Sequence, residues 1–267
     1  MYFRLVILFL LLISLTSCLS LADRALKSSN KDFIMSTANE QLIKKKYSEA
    51  VLLYEKATPL LTDIKDIQEV TFKTAQANFG DKNFVTASHQ FNVFHTNYPS
   101  SPLAEESLFQ SALALYNLSP KYNLDQSKTD ESIKRFQAFV NLYPISSKLN
   151  EANTKIDELR SKLENKHYQN GLLYYKIENY KSSSVQFANF LNDFPDTKKR
   201  EDALYYIFVS QYQIAFNSVL DKKIERIKDA IISYKNFVEF SPQSTKLNEV
   251  NQMQETLNKE LNKININ

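Results

Sequence analysis

The stretch YKSSSVQFANFLNDFP, residues 180–195, contains the pattern that decides the fold. Counting from Tyr180, a small residue follows three positions on (Ser183), phenylalanine seven and ten positions on (Phe187 and Phe190), and proline fifteen positions on (Pro195). The first three of these offsets lie on one face of a helix with about 3.6 residues per turn. Proline ends the helix, because it lacks the N–H donor and forces the preceding residue to extend. The pattern therefore predicts an amphipathic helix that buries one small and aromatic face.

Three other segments repeat this register, and they start at Phe84, Thr129 and Ile227. Their small, aromatic, phenylalanine and proline positions are Ala87, Phe91, Phe94 and Pro99; Ser132, Phe136, Phe139 and Pro144; and Ala230, Tyr234, Phe237 and Pro242. A weaker copy begins at Tyr47, with its proline early, at Pro59. Self-similarity at a fixed register indicates a helical repeat protein.

A second helix is predicted before each of these helices. A small residue stands nine positions before three of the starts, at Ala38, Ala75 and Gly171, where it would let two helices approach closely. Helix pairs of this kind resemble the tetratricopeptide repeat, a unit of about 34 residues. We therefore predict an all-α tetratricopeptide-repeat superhelix (an α-solenoid) of about five helix pairs. The predicted repeats are approximately 32–63, 68–101, 103–146, 165–197 and 201–244, followed by a capping helix at 247–264.

Composition agrees with an all-helical chain. Two glycines in 267 residues leave little for hairpins or phosphate-binding loops, which need glycine at positive φ. Successive repeat prolines lie 45, 51 and 47 residues apart, so the units carry insertions. Residues 119–128 are predicted to form an inserted loop, whereas 148–166 and 218–226 are predicted to extend helices.

The N-terminus predicts a lipid anchor. An apolar run from Leu5 to Ile13 follows Arg4 and precedes Leu15-Thr16-Ser17-Cys18, which resembles a bacterial lipobox. Residues 1–17 are thus predicted to be a lipoprotein signal peptide, Cys18 the lipid attachment site, and 18–30 a lipidated tether. Leu19, in place of aspartate, favours export to the outer membrane by the same resemblance. The alternative is an ordinary signal peptide with a buried cysteine nearby.

No enzyme chemistry is predicted. The three histidines, His89, His95 and His167, have no metal-ligand spacing, and no cysteine lies near them. No catalytic, cofactor-binding or metal-binding residues are therefore assigned. Acidic pairs at Glu105-Glu106 and Glu201-Asp202 stand where helices begin, and they favour the positive end of the helix dipole. With 33 basic and 30 acidic residues, the chain has a formal net charge of only +3, which is too small to predict nucleic-acid binding.

A peptide groove is predicted on the concave face of the first two repeats, which the first helix of each pair lines. The candidate groove residues, counted back from the starts at Tyr47 and Phe84, are Met35, Asn39, Leu42, Phe72, Gln76 and Phe79. This mixture of apolar side chains and amides would hold an extended peptide that ends in an aromatic residue. The alternative is that these aromatic residues pack in the core.

The lipobox, the repeats and the segment around Phe194-Pro195-Asp196-Thr197 together resemble the BamD family, lipoproteins of the outer-membrane β-barrel assembly machinery. The resemblance implies a non-catalytic scaffold that is anchored to the outer membrane by lipid and faces the periplasm. It also implies two partners: a BamA-like POTRA and barrel protein, bound through the C-terminal repeats, and unfolded outer-membrane barrel proteins, received by the N-terminal repeats. Ser241 before Pro242 departs from the aromatic-proline pattern of the other repeats.

Two alternative functions stay open at this point. One is a periplasmic repeat scaffold that coordinates envelope constriction, although such chains usually have an N-terminal coiled coil and no lipobox. The other is a nutrient-uptake surface lipoprotein, a class that is usually longer and would be expected to carry an acidic run after the cysteine. The residues 19–22, LSLA, lack such a run.

Overall fold

The computed structural model of the chain describes residues 20–266, and within that range every regular element is helical. The α-helices are α1 (Leu21–Leu26), α2 (Lys31–Ile43), α3 (Tyr47–Ala57), α4 (Ile64–Gly80), α5 (Phe84–Asn97), α6 (Ala104–Leu118), α7 (Ser127–Leu142), α8 (Leu149–Lys176), α9 (Tyr180–Asp193), α10 (Arg200–Phe216), α11 (Leu220–Phe240) and α12 (Leu247–Ile266). A 3₁₀ turn, Thr58–Leu60, follows α3. The all-α fold of paired helices confirms the predicted fold class.

The chain divides into two compact units. The first contains the described residues up to Pro120 together with Gln126–Asp157, and the second contains Lys121–Asp125 together with the residues from Glu158 onward. In the first unit α2 packs on α3, α4 on α5, and α6 on α7; in the second, α9 packs on α10 and α10 on α11. Each unit is therefore a stack of sequence-adjacent helices, as tetratricopeptide repeats require.

The repeat register forms the core, as predicted. The phenylalanines at offset ten, Phe94, Phe139, Phe190 and Phe237, are all fully buried. The small residues at offset three are also fully buried, which leaves room for the facing helix. Tyr234 differs from the other residues at offset seven, because it is only half-buried and its hydroxyl donates to Asn251 Oδ1 at 2.7 Å.

The second helix of each of these four pairs ends two residues before its proline, with the C-terminal cap directly before the proline, as the predicted proline stop requires. Tyr98, Tyr143, Phe194 and Ser241 are the C-terminal caps, with φ between −126° and −130°. Each cap N–H still donates to the carbonyl of the buried phenylalanine four residues earlier. Ser241 keeps the same backbone conformation as the aromatic caps, so its departure from the pattern does not change the turn.

In three helix pairs, the tight turn between the two helices contains one residue in the left-handed backbone conformation. Lys45, Lys82 and Glu178, each two residues before the second helix, have φ of 58°, 63° and 60°. In the fourth repeat Gly171 is required by close packing, because a Cβ there would lie 2.8 Å from the Phe187 ring. The sequence predicts that a small residue nine positions before the second helix lets two helices approach closely. Gly171 has this role, because it contacts the second helix of its pair.

A Pro-x-Ser/Thr-x-Lys turn, which the sequence analysis did not identify, connects successive repeats. Its hydroxyl donates at 2.6 Å to a glutamate on an earlier helix: Ser146 to Glu105, Thr197 to Glu164, and Ser244 to Glu201. The same oxygens accept the backbone N–H of Lys148, Lys199 and Lys246. The lysine ammonium groups lie 4.7–5.0 Å from the ring centres of Phe109, Tyr168 and Tyr205. The acidic pairs at the starts of α6 and α10 are therefore hydrogen-bonding and ion-pairing partners of these turns, and they also lie in the first turn, at the positive end of each helix dipole.

The segment 18–30, expected to be a tether, contains a packed helix. Ala22 and Ala25 of α1 are buried against α2 and α3, and Ser20 and Asp23 form a capping box at its start. Packing of these small side chains explains the difference, so residues 21–26 are part of the folded structure and not an extended tether. Cys18 and the rest of the predicted signal peptide lie outside the described residues.

The inserted segments follow the predictions closely. Residues 119–126 connect α6 to α7 without a helix, and Ser127 already begins α7. The two stretches predicted to extend helices lie largely in α8 and α11. None of the helices described between residues 20 and 266 is both long and apolar enough to cross a bilayer.

Candidate functional site

A cavity of about 440 Å³ opens in the first unit, where the C-terminal ends of α2 and α4 come together. Residues from five helices and one turn line it: Leu42, Ile43, Lys45, Tyr47, Gln76, Phe79, Gly80, Phe91 and Gln110. Its floor is aromatic and aliphatic, and two primary amides and one ammonium group stand among these apolar residues. A cavity of this size and mixed lining is typical of ligand sites in proteins.

Local backbone geometry forms this cavity. Lys45 and Lys82 take left-handed conformations, so α2 and α4 each reverse sharply into the next helix. Gly80 ends α4 directly against Tyr47, and a Cβ at Gly80 would meet that ring at 2.4 Å. The absence of a side chain at Gly80 therefore lets the start of α3 approach the end of α4 and form one wall.

Three of the six predicted groove residues lie in the cavity. Leu42 and Phe79 are half-buried in its wall, and Gln76 is exposed. Phe79 is held in place by Phe84, whose ring centre lies 5.2 Å away in an edge-on arrangement. This part of the predicted groove is thus assembled from two repeats.

The other three predicted residues have different surroundings. Phe72 is only 5% exposed and packs edge-on against Phe91 and Phe94 at 5.5 and 5.6 Å, so it belongs to the core. Met35 is partly buried against the core of α1–α4. We therefore leave Phe72 and Met35 out of the candidate site.

Asn39 belongs to a polar network beside the cavity. Its Oδ1 accepts from Tyr54 Oη at 2.7 Å and from Lys73 Nζ at 2.9 Å, and Lys73 also pairs with Glu69 at 2.5 Å. Burial, with a smaller contribution from Glu69, raises the pKa of Tyr54, so its phenol stays a donor. The Asn39 carbonyl is committed to these donors, which gives it a structural role.

The counting rule could not find Tyr47, Phe91 or Gln110. Tyr47 and Phe91 belong to the second helix of their pairs, and the rule considered only first helices. Gln110 lies in α6, where the inserted loop 119–126 shifts the spacing between α6 and α7. Offsets counted from the start of α6 would have been needed to predict that Gln110 lines the cavity.

In the part of the chain from residue 20 to 266, no three His, Cys, Asp or Glu side chains cluster so that they could hold a metal ion. The ligand chemistry available in the cavity is instead apolar contact and amide hydrogen bonding.

Comparison with known proteins identifies the family. A family model described as "YfiO: Outer membrane lipoprotein" matches residues 28–222. A curated relative, outer membrane protein assembly factor BamD of Caulobacter vibrioides, is 20% identical over 186 residues. That alignment covers 70% of this chain and 61% of the relative, so this chain matches less than two thirds of its length.

Two solved structures are similar to this chain at low sequence identity. A tetratricopeptide-repeat protein from Bacteroides fragilis gives a TM-score of 0.43 at 14% identity, covering 87% of this chain and all of that one. The TPR2AB domain of yeast Sti1, in complex with pHSP90, gives 0.38 at 13% identity, covering 85% and 98%. These scores are too low to transfer a site or a ligand. The family match spans most of the chain, and the chain belongs to the YfiO family of outer membrane lipoproteins.

Proposed function

We propose that this outer membrane lipoprotein is a non-catalytic scaffold of β-barrel assembly. It would dock on a BamA-like POTRA and barrel protein and help to receive and insert unfolded barrel substrates. Family membership supports the assembly role, since a curated relative is named as an assembly factor. The observation that carries the substrate part is the cavity lined by Leu42, Gln76 and Phe79.

The anchoring part of the proposal rests on the sequence. Cys18 would carry the acyl chains and hold the helical domain on the periplasmic face of the outer membrane. Several acyl chains give firm anchoring, since each buried methylene contributes about 0.8 kcal/mol and one chain alone binds only reversibly.

The cavity suits an extended peptide with an aromatic side chain. Phe79, Phe91 and Tyr47 provide ring surfaces, which favour edge-on or offset contacts with another ring. Gln76 offers an amide that can donate to and accept from a peptide backbone. Gln110 Nε2 already donates to Glu106 Oε1 at 2.7 Å, and its carbonyl oxygen can accept from a peptide N–H. The C-terminal strand of a barrel protein, before it is paired, has free backbone groups of this kind.

Docking on the BamA-like partner is assigned to the second unit. Three exposed apolar residues lie close together along the chain at the connection between α10 and α11. They are Phe216, Val219 and Leu220, which are 45%, 69% and 66% exposed. Exposed apolar groups at one connection are typical of a protein contact. Substrate and docking partner would therefore use different units.

Site-specific photo-crosslinking tests the substrate site. A photoreactive phenylalanine analogue replaces exposed Gln76 in the cavity and, as the control, exposed Val185 on α9 of the second unit. We expect barrel proteins among the adducts at position 76 and few or none at position 185. Equal adducts at both positions, or no barrel protein at position 76, would contradict the proposed site.

A further inference from the structure

A second cavity in the first unit, of about 220 Å³, lies between α5, α6 and α7. Ser88 and His89 of α5, Leu115 and Leu118 of α6, and Glu131 and Arg135 of α7 are among its lining residues. It shares no lining residue with the larger cavity. The proposed substrate site makes no use of it.

Arg135 is the chemically distinctive group in this cavity. Its guanidinium is half-buried and donates from Nη1 to Ser111 Oγ at 2.9 Å. Between residues 20 and 266, no carboxylate forms an ion pair with it. A guanidinium has five N–H donors, and a buried cation is costly unless it is paired.

The neighbouring carboxylate of Glu131 compensates Arg135 only in part, because burial lowers the pKa of the guanidinium and Glu131 offsets only some of that effect. Glu131 lies one turn earlier on α7, but Lys128 Nζ is 2.9 Å from both of its carboxylate oxygens. Ser111 is also engaged, because its hydroxyl donates to the Ser88 carbonyl at 2.9 Å. The cavity therefore keeps a net positive charge and unused donors next to the apolar side chains of Leu115 and Leu118.

We propose that this cavity binds a carboxylate of a partner polypeptide, the side chain of an Asp or Glu residue, through the guanidinium of Arg135. The planar fork of arginine matches a carboxylate and can donate two parallel hydrogen bonds to it. The methylene groups of the bound side chain would lie against Leu115 and Leu118. A phosphate dianion fits less well, because it carries more negative charge than a carboxylate and the Glu131 carboxylate in the same cavity repels it more strongly.

Arginine side-chain NMR tests this proposal on the intact lipoprotein in detergent micelles. Five of the six arginines of the chain lie beyond the predicted signal peptide, so the Nε–H signals can be resolved and assigned by Arg-to-Lys substitution. The probe is N-acetylglutamate N-methylamide, and the matched controls are the glutamine analogue and inorganic phosphate. We expect saturable shifts of the Arg135 signal with the glutamate probe, little change with the glutamine probe, and weaker binding of phosphate.

Two variants separate binding from structure. Arg135→Lys keeps the charge but loses the fork, and we expect it to weaken binding of the glutamate probe about tenfold. Arg160→Lys, at an exposed position on α8, should bind the probe like the wild type. If Arg135→Lys does not fold, titration of the wild-type protein with the three probes still tests whether Arg135 binds a carboxylate.

Three results would overturn the proposal. The first is a set of shifts that is equal across all arginine signals, the second is an Arg135 signal that does not saturate, and the third is tighter binding of phosphate than of the carboxylate.

Discussion

At the residue scale, the aromatic rings at offsets seven and ten of each second helix supply most of the core. Phe190 is a representative example: it is fully buried and its ring centre lies 5.7 Å from that of Tyr168 on α8. Rings in this arrangement bury large apolar areas and also gain from edge-on contact. Stability should therefore depend strongly on single aromatic positions.

Truncation of one ring measures this dependence. Phe190→Ala should lower the free energy of unfolding by about 3–5 kcal/mol, because it leaves a cavity in a packed core. The control is Phe240→Ala, at a position that is 51% exposed, where we expect a loss below about 1 kcal/mol. Urea unfolding followed by circular dichroism gives both values. A loss for Phe190→Ala as small as that of the control would mean that offset ten is not a core position.

A backbone prediction concerns Lys82, whose φ of 63° is unfavourable for a residue with a Cβ. Lys82→Gly should stabilise the protein by up to about 1 kcal/mol, because relief of strain exceeds the entropy that glycine adds to the unfolded chain. The same change in the exposed middle of α7, Lys134→Gly, should instead cost about 1 kcal/mol. Thermal unfolding compares the two, and destabilisation of similar size in both would contradict the strain assigned to Lys82.

At the element scale, the turns between repeats carry hydrogen bonds as well as a proline stop. The Thr197 hydroxyl donates to Glu164 on α8 and accepts the N–H of Lys199 at the start of α10. One side chain thus links the end of a helix pair both to the helix before it and to the helix after it. The same arrangement at Ser146 and Ser244 makes it a property of the repeat.

A double-mutant cycle measures this link. Thr197→Val removes the hydroxyl with little change of shape, and Glu164→Ala removes the acceptor. We expect a coupling of about 0.5–1.5 kcal/mol in the free energy of unfolding, in the range of a part-buried hydrogen bond. If the two single effects add within about 0.3 kcal/mol, the bond contributes no stability.

The elements differ in how far the sequence could predict them. The repeat helices and their ends were predictable, because the buried phenylalanines and the prolines recur at fixed offsets. Helix α1 was not, since six residues with two buried alanines give too short a pattern to separate from a tether. Phe72 fell on the predicted concave face, but its ring fits between Phe91 and Phe94, which only the packing of α4 on α5 reveals.

The polar contacts were the least predictable part of the site. Asn39 looked like a free amide in the sequence, but two donors from α3 and α4 occupy its carbonyl. The turn hydroxyls bond to glutamates 33 to 43 residues away along the chain, a separation that no local pattern specifies. Such contacts depend on the angle between helices, which a helical period alone does not determine.

At the scale of the whole molecule, attachment to the membrane is proposed to depend on one residue. Cys18→Ser should abolish lipidation, because serine cannot form the thioether to the lipid. Metabolic labelling with a clickable fatty acid measures the modification, and the wild-type chain is the positive control. A label that persists in the serine variant would contradict the lipoprotein anchor at this position.

We propose that the helix pairs together act as a scaffold of β-barrel assembly. Affinity purification of the tagged lipoprotein in mild detergent, followed by mass spectrometry, tests it most directly. We expect recovery of a barrel protein with POTRA domains in near-stoichiometric amount. Recovery of envelope-constriction proteins or of a nutrient transporter, without such a barrel protein, would contradict it.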